Sequence, residues 1–93
     1  MDRPLNILVL ARRDQTEAMR VGAGLTIFGH RVRLVFMDHP VEESEANAEQ
    51  AELLELSEVQ PETTVVAMAD ELPLLDAAAL GQAIVQADRV INL

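Results

Sequence analysis

The stretch LVLARRDQTEAMRVGAGLTIFGHRVRLVFMD, residues 8–38, decides the fold of this chain of 93 residues. An apolar run that begins at Leu5 leads into a turn with two arginines, then a helical pattern, then a second apolar run. Asp14 is placed to cap the helix, with Glu17 three residues later as its capping-box partner. Gly29 is placed to end the helix. The stretch predicts a strand, a helix and a second strand, which is the repeating unit of a parallel sheet.

The rest of the chain continues the same alternation. Residues 41–59 are rich in Glu and Ala and predict a second helix, and TTVVAMA, residues 63–69, predicts a third strand. A third helix is expected to begin near Asp76, and RVINL, residues 89–93, predicts a short fourth strand. The predicted fold class is therefore α/β. We expect one domain, residues 1–93, with a small, mostly parallel sheet of four or five strands and helices on both faces.

Helical periodicity also predicts which side chains of each helix face the core. The predicted inner faces are Ala18, Val21, Gly22, Leu25 and Phe28 in the first helix, Ala51, Leu53, Leu54 and Leu56 in the second, and Leu80, Ile84 and Ala87 in the third. Gly22 and Gly24 form a Gly-x-Gly, but the dinucleotide fingerprint needs a third glycine where this chain has Ile27, and it opens a helix. Close packing of the helix on the sheet explains these glycines better.

The composition excludes several kinds of site. The sequence contains no cysteine, lysine, tryptophan or tyrosine. The lack of cysteine removes disulfides, thiolate metal ligands and cysteine nucleophiles. The lack of lysine removes a P-loop lysine and a Schiff-base lysine. Neither serine lies in the Gly-x-Ser-x-Gly elbow of a hydrolase. No catalytic constellation is recognisable, so the sequence favours a protein that is not an enzyme, with no cofactor.

The net charge of −9 is unevenly distributed along the chain. Residues 1–33 contain six arginines and three acids, whereas residues 34–93 contain one arginine and thirteen acids. This balance opposes nucleic-acid binding, which depends on cationic contacts to phosphates. Seven glutamates between Glu42 and Glu58 repel one another. Either they form a solvated acidic face, or a neighbouring subunit offsets them with Arg20, Arg31 and Arg33.

The sequence gives no sign of a membrane segment. No apolar run approaches the roughly 18 residues that a membrane span needs. The N-terminal segment lacks the layout of a signal peptide, since its apolar run is short and no small-residue cleavage site follows. We therefore expect a cytoplasmic protein with no membrane partner.

Polar side chains follow the first two predicted strands, at the edge where open α/β sheets bind ligands. Arg12 and Arg13 follow the first strand and precede a helix N-terminus, which favours anions. Two guanidinium groups there predict a site for a phosphate, sulfate or carboxylate, unless Asp14 and Glu17 already neutralise them. Asp38 and His39 follow the second strand. They are too few for a zinc site, which takes about four ligands, so no metal site is expected.

At GHRVRLVFMDHPV, residues 29–41, and QAIVQADRVINL, residues 82–93, the chain resembles the DsrE/DsrF/DsrH (TusB) family of small sulfur-relay proteins. The resemblance implies a flavodoxin-like α/β fold, assembly into homo- or hetero-oligomers with related small sulfur-carrier subunits, and a cytoplasmic role in passing persulfide sulfur. In active members a cysteine follows the strand that corresponds to TTVVAMAD. Here Ala67, Met68 and Ala69 stand in that region, and their side chains cannot form a persulfide. The DsrH/TusB type, in which the cysteine is also missing, is the closest parallel.

Three functional hypotheses follow from the sequence. The first is a non-catalytic, cysteine-free DsrE-like subunit that oligomerises and serves as a structural or partner protein in intracellular sulfur relay or oxidation. The alternative is an α/β domain that binds a small anion or a nucleotide with the Arg12–Arg13 turn. The least favoured is an enzyme in which His39 and Asp38 act as an acid–base pair.

Overall fold

The computed structural model describes residues 3–93 and places four parallel strands in one sheet. The elements are β1 (Asn6–Ala11), α1 (Gln15–Ile27), β2 (Arg31–Phe36), α2 (Glu45–Leu56), β3 (Glu62–Thr63), α3 (Ala77–Gln86) and β4 (Arg89–Asn92), with a 3₁₀ turn at Val66–Met68 before α3. The α/β class with a small parallel sheet is confirmed, and the architecture is consistent with a small flavodoxin-like fold. The strand order is β3-β2-β1-β4, the order that opens a Rossmann sheet, so its switch point lies between β1 and β4.

β1 lies inside the sheet, and both of its faces are covered. Ile7, Val9 and Ala11 pack towards α1 and α2, whereas Leu8 and Leu10 pack towards α3. A near-continuous apolar run is what a strand buried on two sides requires, because successive side chains point to opposite faces. The prediction of helices on both faces is confirmed by these two clusters.

β2 pairs with β1 along its whole length, from Asn6 opposite Arg31 to Ala11 opposite Phe36. Its first residue is exposed, and Leu34, Val35 and Phe36 are buried. This gradient confirms the prediction of a strand whose start is open to solvent and whose end is in the core.

The ends of α1 are those that the sequence predicts. The Asp14 side chain accepts a hydrogen bond of 3.0 Å from the Glu17 N–H. Gly29 follows the helix with a φ of 87°. That value lies in the left-handed region, which glycine enters without steric cost. Local chemistry therefore sets both boundaries of this helix.

The buried face of α1 differs from the predicted one. The helix buries Gln15, Ala18, Met19, Gly22 and Ala23, whereas Phe28 is 81% exposed. Phe28 lies outside the buried face because α1 ends at Ile27. An added Cβ at Gly22 would lie 3.7 Å from Val32 of β2 and 3.8 Å from Leu54 of α2, which is ordinary van der Waals contact. Gly22 therefore lies in the packed face of the helix, whereas the prediction of close packing is wrong for Gly24, since no atom lies within 4 Å of a Cβ there.

Alanine substitutions at two glycines are expected to change stability in opposite directions. Gly29→Ala places a Cβ in the left-handed region and should lower the free energy of unfolding by about 1–2 kcal/mol. Gly24→Ala lies inside α1 with no atom within 4 Å of the new Cβ and should raise it by about 0.5–1 kcal/mol. Urea unfolding followed by circular dichroism measures both. A shared sign for the two changes would contradict this account of the helix end.

α2 is shorter and more exposed than predicted. It begins after Ser44, whose side chain accepts a hydrogen bond of 3.1 Å from the Asn47 N–H. Only Asn47 and Leu54 of this helix are buried. Ala51, Leu53 and Leu56, which were predicted on its inner face, are exposed, because only one row of its side chains reaches α1 and the sheet.

The third strand is also shorter than predicted. β3 ends at Thr63, because the Thr63 hydroxyl accepts a hydrogen bond of 2.9 Å from the Val65 N–H and so turns the chain. Residues 64–69 therefore leave the sheet. The backbone of Pro73 and Leu75 then bonds to Thr63, at 3.0 and 2.8 Å, and closes this edge of the sheet.

α3 begins where the sequence predicts, with Asp76 as its cap, 2.7 Å from the Ala79 N–H. It is the single helix on its side of the sheet within the described residues. Ala83 on the inner face of this helix is buried, and Leu80 and Ala87 pack against the same cluster. Ile84, which was predicted to face inwards, is 43% exposed, because the helix turns Ala83 rather than Ile84 towards the sheet.

Candidate functional site

Two of the predicted binding residues meet at the carboxyl edge of the sheet. Arg12 follows β1 and Asp38 lies two residues beyond β2, and the Arg12 Nε lies 3.5 Å from the Asp38 Oδ2. Both side chains are about half exposed, at 42% and 50%. An ion pair in such a position contributes little to stability. It does, however, occupy the guanidinium group that was predicted to hold an anion.

The loop after β2 has a tight and unusual backbone. Asp38 has a φ of 73°, and the His39 N–H donates to the Met37 carbonyl at 2.9 Å, as in a γ-turn of the positive-φ kind. The buried Gln15 amide supports this turn, since its Nε2 donates to the His39 carbonyl at 2.9 Å. No sequence pattern marks Gln15 beyond its place next to the α1 cap.

The turn between β1 and α1 is partly filled by the chain itself. The N–H groups of Arg13 and Asp14 both donate to the Leu93 carbonyl, each at 2.9 Å. This contact lies at the switch point between β1 and β4, where doubly wound sheets bind ligands. An anion at this helix N-terminus would have to compete with the Leu93 carbonyl. That Arg12 and Arg13 bind a ligand stays a prediction.

Asp38 and His39 do not contact each other through their functional groups. The Asp38 carboxylate faces Arg12, and the His39 Nδ1 lies 3.1 Å from the carbonyl oxygen of Pro40. Within residues 3–93, no group of three or more His, Cys, Asp or Glu side chains is placed to hold a metal ion. This arrangement gives no support to the acid–base hypothesis.

Ala67, Met68 and Ala69, the region of the family cysteine, lie at a cleft rather than at a strand end. Residues 66–68 form the 3₁₀ turn after β3, and Ala67 and Met68 line the cleft. We call this space the α2 cleft. Its volume is about 700 Å³, and it lies between α2, the carboxyl end of β2 and the segment that carries the 3₁₀ turn.

The α2 cleft combines an apolar interior with an acidic rim. Buried side chains of the core reach its floor, namely Met19, Phe36, Leu54 and Val59. The glutamates at its rim are Glu42, Glu43, Glu55 and Glu71. Sequence patterns missed this cleft because four separate segments form it. The local feature that contributes to the cleft is the early end of β3, which depends on the Thr63 hydroxyl.

Two arginines that were predicted to reach a neighbouring subunit are paired within the chain. Arg33 binds Glu62 through two hydrogen bonds of 3.0 and 2.9 Å across β2 and β3. The hydrogen bonds that Arg33 donates to Glu62 raise the pKa of its guanidinium group, so this side chain stays charged. Arg20 pairs with Glu17 one turn earlier in α1. Arg31 forms no ion pair within residues 3–93.

β4 forms an open edge of the sheet. It pairs with β1 on one side, and its other side carries no strand among the described residues. Val90 within the strand is 44% exposed, and the preceding helix α3 exposes Ile84 at 43% and Val85 at 80%. Within residues 3–93, no helix is both long and apolar enough to cross a membrane.

No protein-family model, curated protein or solved structure matches the chain. The resemblance to the DsrE/DsrF/DsrH family stays a prediction that rests on residues 29–41 and 82–93.

Proposed function

We propose that this chain is a non-catalytic subunit of the DsrE-like type, which assembles with itself or with a related small subunit that carries sulfur on a cysteine. The chain has no thiol of its own, so any persulfide must reside on another chain. At the carboxyl edge of the sheet, the Arg12 and Asp38 side chains face each other at 3.5 Å, and the Leu93 carbonyl accepts from the N–H groups of Arg13 and Asp14. Both features support a partner role over a catalytic one.

The open β4 edge carries this proposal. An edge strand presents every second N–H and C=O group to its surroundings, and natural proteins protect such edges with charges or proline. β4 has a single charged residue, Arg89 at its start, and Val90 within the strand and Val85 near the end of α3 are exposed. Pairing with an equivalent strand would satisfy the backbone and cover these side chains. A small domain also gains buried apolar surface in this way.

A pair of charge substitutions tests the proposal. Val85→Glu should shift the protein towards smaller assemblies, because a carboxylate at a desolvated contact is costly. Val66→Glu is the matched control, since Val66 is 77% exposed against 80% for Val85, and the two variants gain the same charge. Analytical ultracentrifugation at micromolar concentrations measures the assembly. A wild-type protein that stays monomeric, or equal effects of the two variants, would contradict the proposal.

The identity of the partner needs a second measurement. Native mass spectrometry of the protein purified from its own cells distinguishes a homo-oligomer from a complex with a second chain. We expect a partner of similar size that contains cysteine. A complex without any thiol would leave the assembly role in place and exclude the sulfur-relay role.

A further inference from the structure

The lining of the α2 cleft favours a particular kind of partner. Its interior is apolar and its rim carries four glutamates, and among residues 3–93 no arginine or histidine lines it. A volume of about 700 Å³ leaves room for at least one large side chain. Carboxylates around an apolar pocket favour a group that brings both apolar surface and positive charge.

The amino edge of the sheet, opposite the cleft, carries exposed apolar side chains together with positive charge. Ile27 and Phe28 end α1 there, and their side chains are 76% and 81% exposed. Arg31 begins β2 and Arg89 begins β4, and because these strands are parallel, both arginines lie at this same edge, as does Arg3 ahead of β1. None of the three arginines forms an ion pair within residues 3–93. The edge thus offers an exposed aromatic side chain with unpaired positive charges.

We propose that the α2 cleft receives Phe28 of a second copy of this chain, with arginines of that copy facing the glutamates of the rim. An aromatic side chain in an apolar pocket, surrounded by charge pairs, is the arrangement that concentrates binding energy in protein interfaces. This inference rests on the proposed assembling function but concerns a surface other than the β4 edge.

The contact joins two different surfaces and is therefore head-to-tail. Phe28 lies at the amino edge of the strands, whereas the cleft reaches Phe36 at the carboxyl end of β2. A contact of this kind adds one copy after another and produces a ring if the rotation closes, or a filament if it does not. The β4 contact, by contrast, pairs the same surface from both copies and stops at two.

Complementary variants test the head-to-tail contact in a Val85→Glu background, which removes the β4 contact. Phe28→Asp removes the inserted side chain and leaves the cleft intact. Ala51→Arg places a long cation in the cleft, since Ala51 is exposed and lines it, and leaves Phe28 intact. We expect each variant alone to associate at least about thirtyfold more weakly than the background protein. An equimolar mixture should form a 1:1 complex and nothing larger, because it retains one intact contact.

Sedimentation velocity and native mass spectrometry of the separate and mixed variants provide the readout. Phe28→Leu keeps an apolar group and should retain most of the association, and raised salt should weaken it by screening the charge pairs. Association of Phe28→Asp at the strength of the background protein, or no 1:1 complex in the mixture, would overturn this inference. If either of these two results is found while the wild-type protein still forms oligomers through the β4 edge, the head-to-tail contact fails and the proposed function stands. A wild-type monomer at all concentrations overturns both.

Discussion

Leu54→Ala is expected to lower the free energy of unfolding by about 2–5 kcal/mol, the range for removing a leucine from a protein core. Leu54 is 1% exposed and is the apolar residue through which α2 enters the core. It packs against α1 at Gly22, next to Val32 of β2. Small domains are stable by only about 5–15 kcal/mol, so the loss is a large fraction of the total.

Leu56→Ala is the matched control, because it makes the same chemical change in the same helix. Leu56 is 76% exposed, so we expect a change within about 0.5 kcal/mol. The chain has no tryptophan or tyrosine, so urea unfolding is best followed by far-ultraviolet circular dichroism. If both variants lost the same stability, α2 would be attached to the core through a different face.

Thr63→Val is expected to lower the free energy of unfolding by about 1–3 kcal/mol, although valine has nearly the same shape. Thr63 is fully buried, and its hydroxyl donates to the Phe36 carbonyl at 3.0 Å while it accepts from the Val65 N–H at 2.9 Å. The Phe36 carbonyl keeps a bond from the Thr64 N–H. The Val65 N–H, in contrast, loses the acceptor that the structure gives it, which carries the cost of an unpaired polar group.

Thr64→Val provides the control one residue along the chain. Within residues 3–93 the Thr64 hydroxyl forms no hydrogen bond, so its loss should be nearly neutral. Urea unfolding gives the free energies, and hydrogen exchange of the Val65 amide should speed up in Thr63→Val alone. Equal stability of the two variants would show that the Thr63 hydroxyl does not end β3.

The sequence predicts the central strands and the helix ends well, and it predicts the outward-facing side chains poorly. Asp14, Gly29 and Asp76 mark helix boundaries because capping depends on residues within one turn of each other. Phe28 fits an apolar helical stripe, yet it is exposed, because α1 ends at Ile27 and Phe28 lies outside its packed face. That face contacts Val32 and Leu54, which are distant in the sequence.

The candidate site likewise has features that the sequence predicts and features that it does not. The sequence places Arg12 and Asp38 at one edge of the sheet, since parallel strands end together, and the structure pairs them. It did not predict the support from Gln15 or the use of the β1–α1 turn by the Leu93 carbonyl. Both contacts join segments more than twenty residues apart, and no local pattern encodes them.

By itself, the sequence determined the α/β class, the four strands and the absence of thiol chemistry, because strand periodicity, helix caps and residue types are local properties. Only the tertiary structure decided where β3 stops, which face of each helix is buried and that a cleft with an acidic rim lies beside α2. Those features arise from contacts between segments that are distant in the sequence, such as the hydrogen bond from the buried Thr63 hydroxyl to the Phe36 carbonyl and the packing of Leu54 against α1.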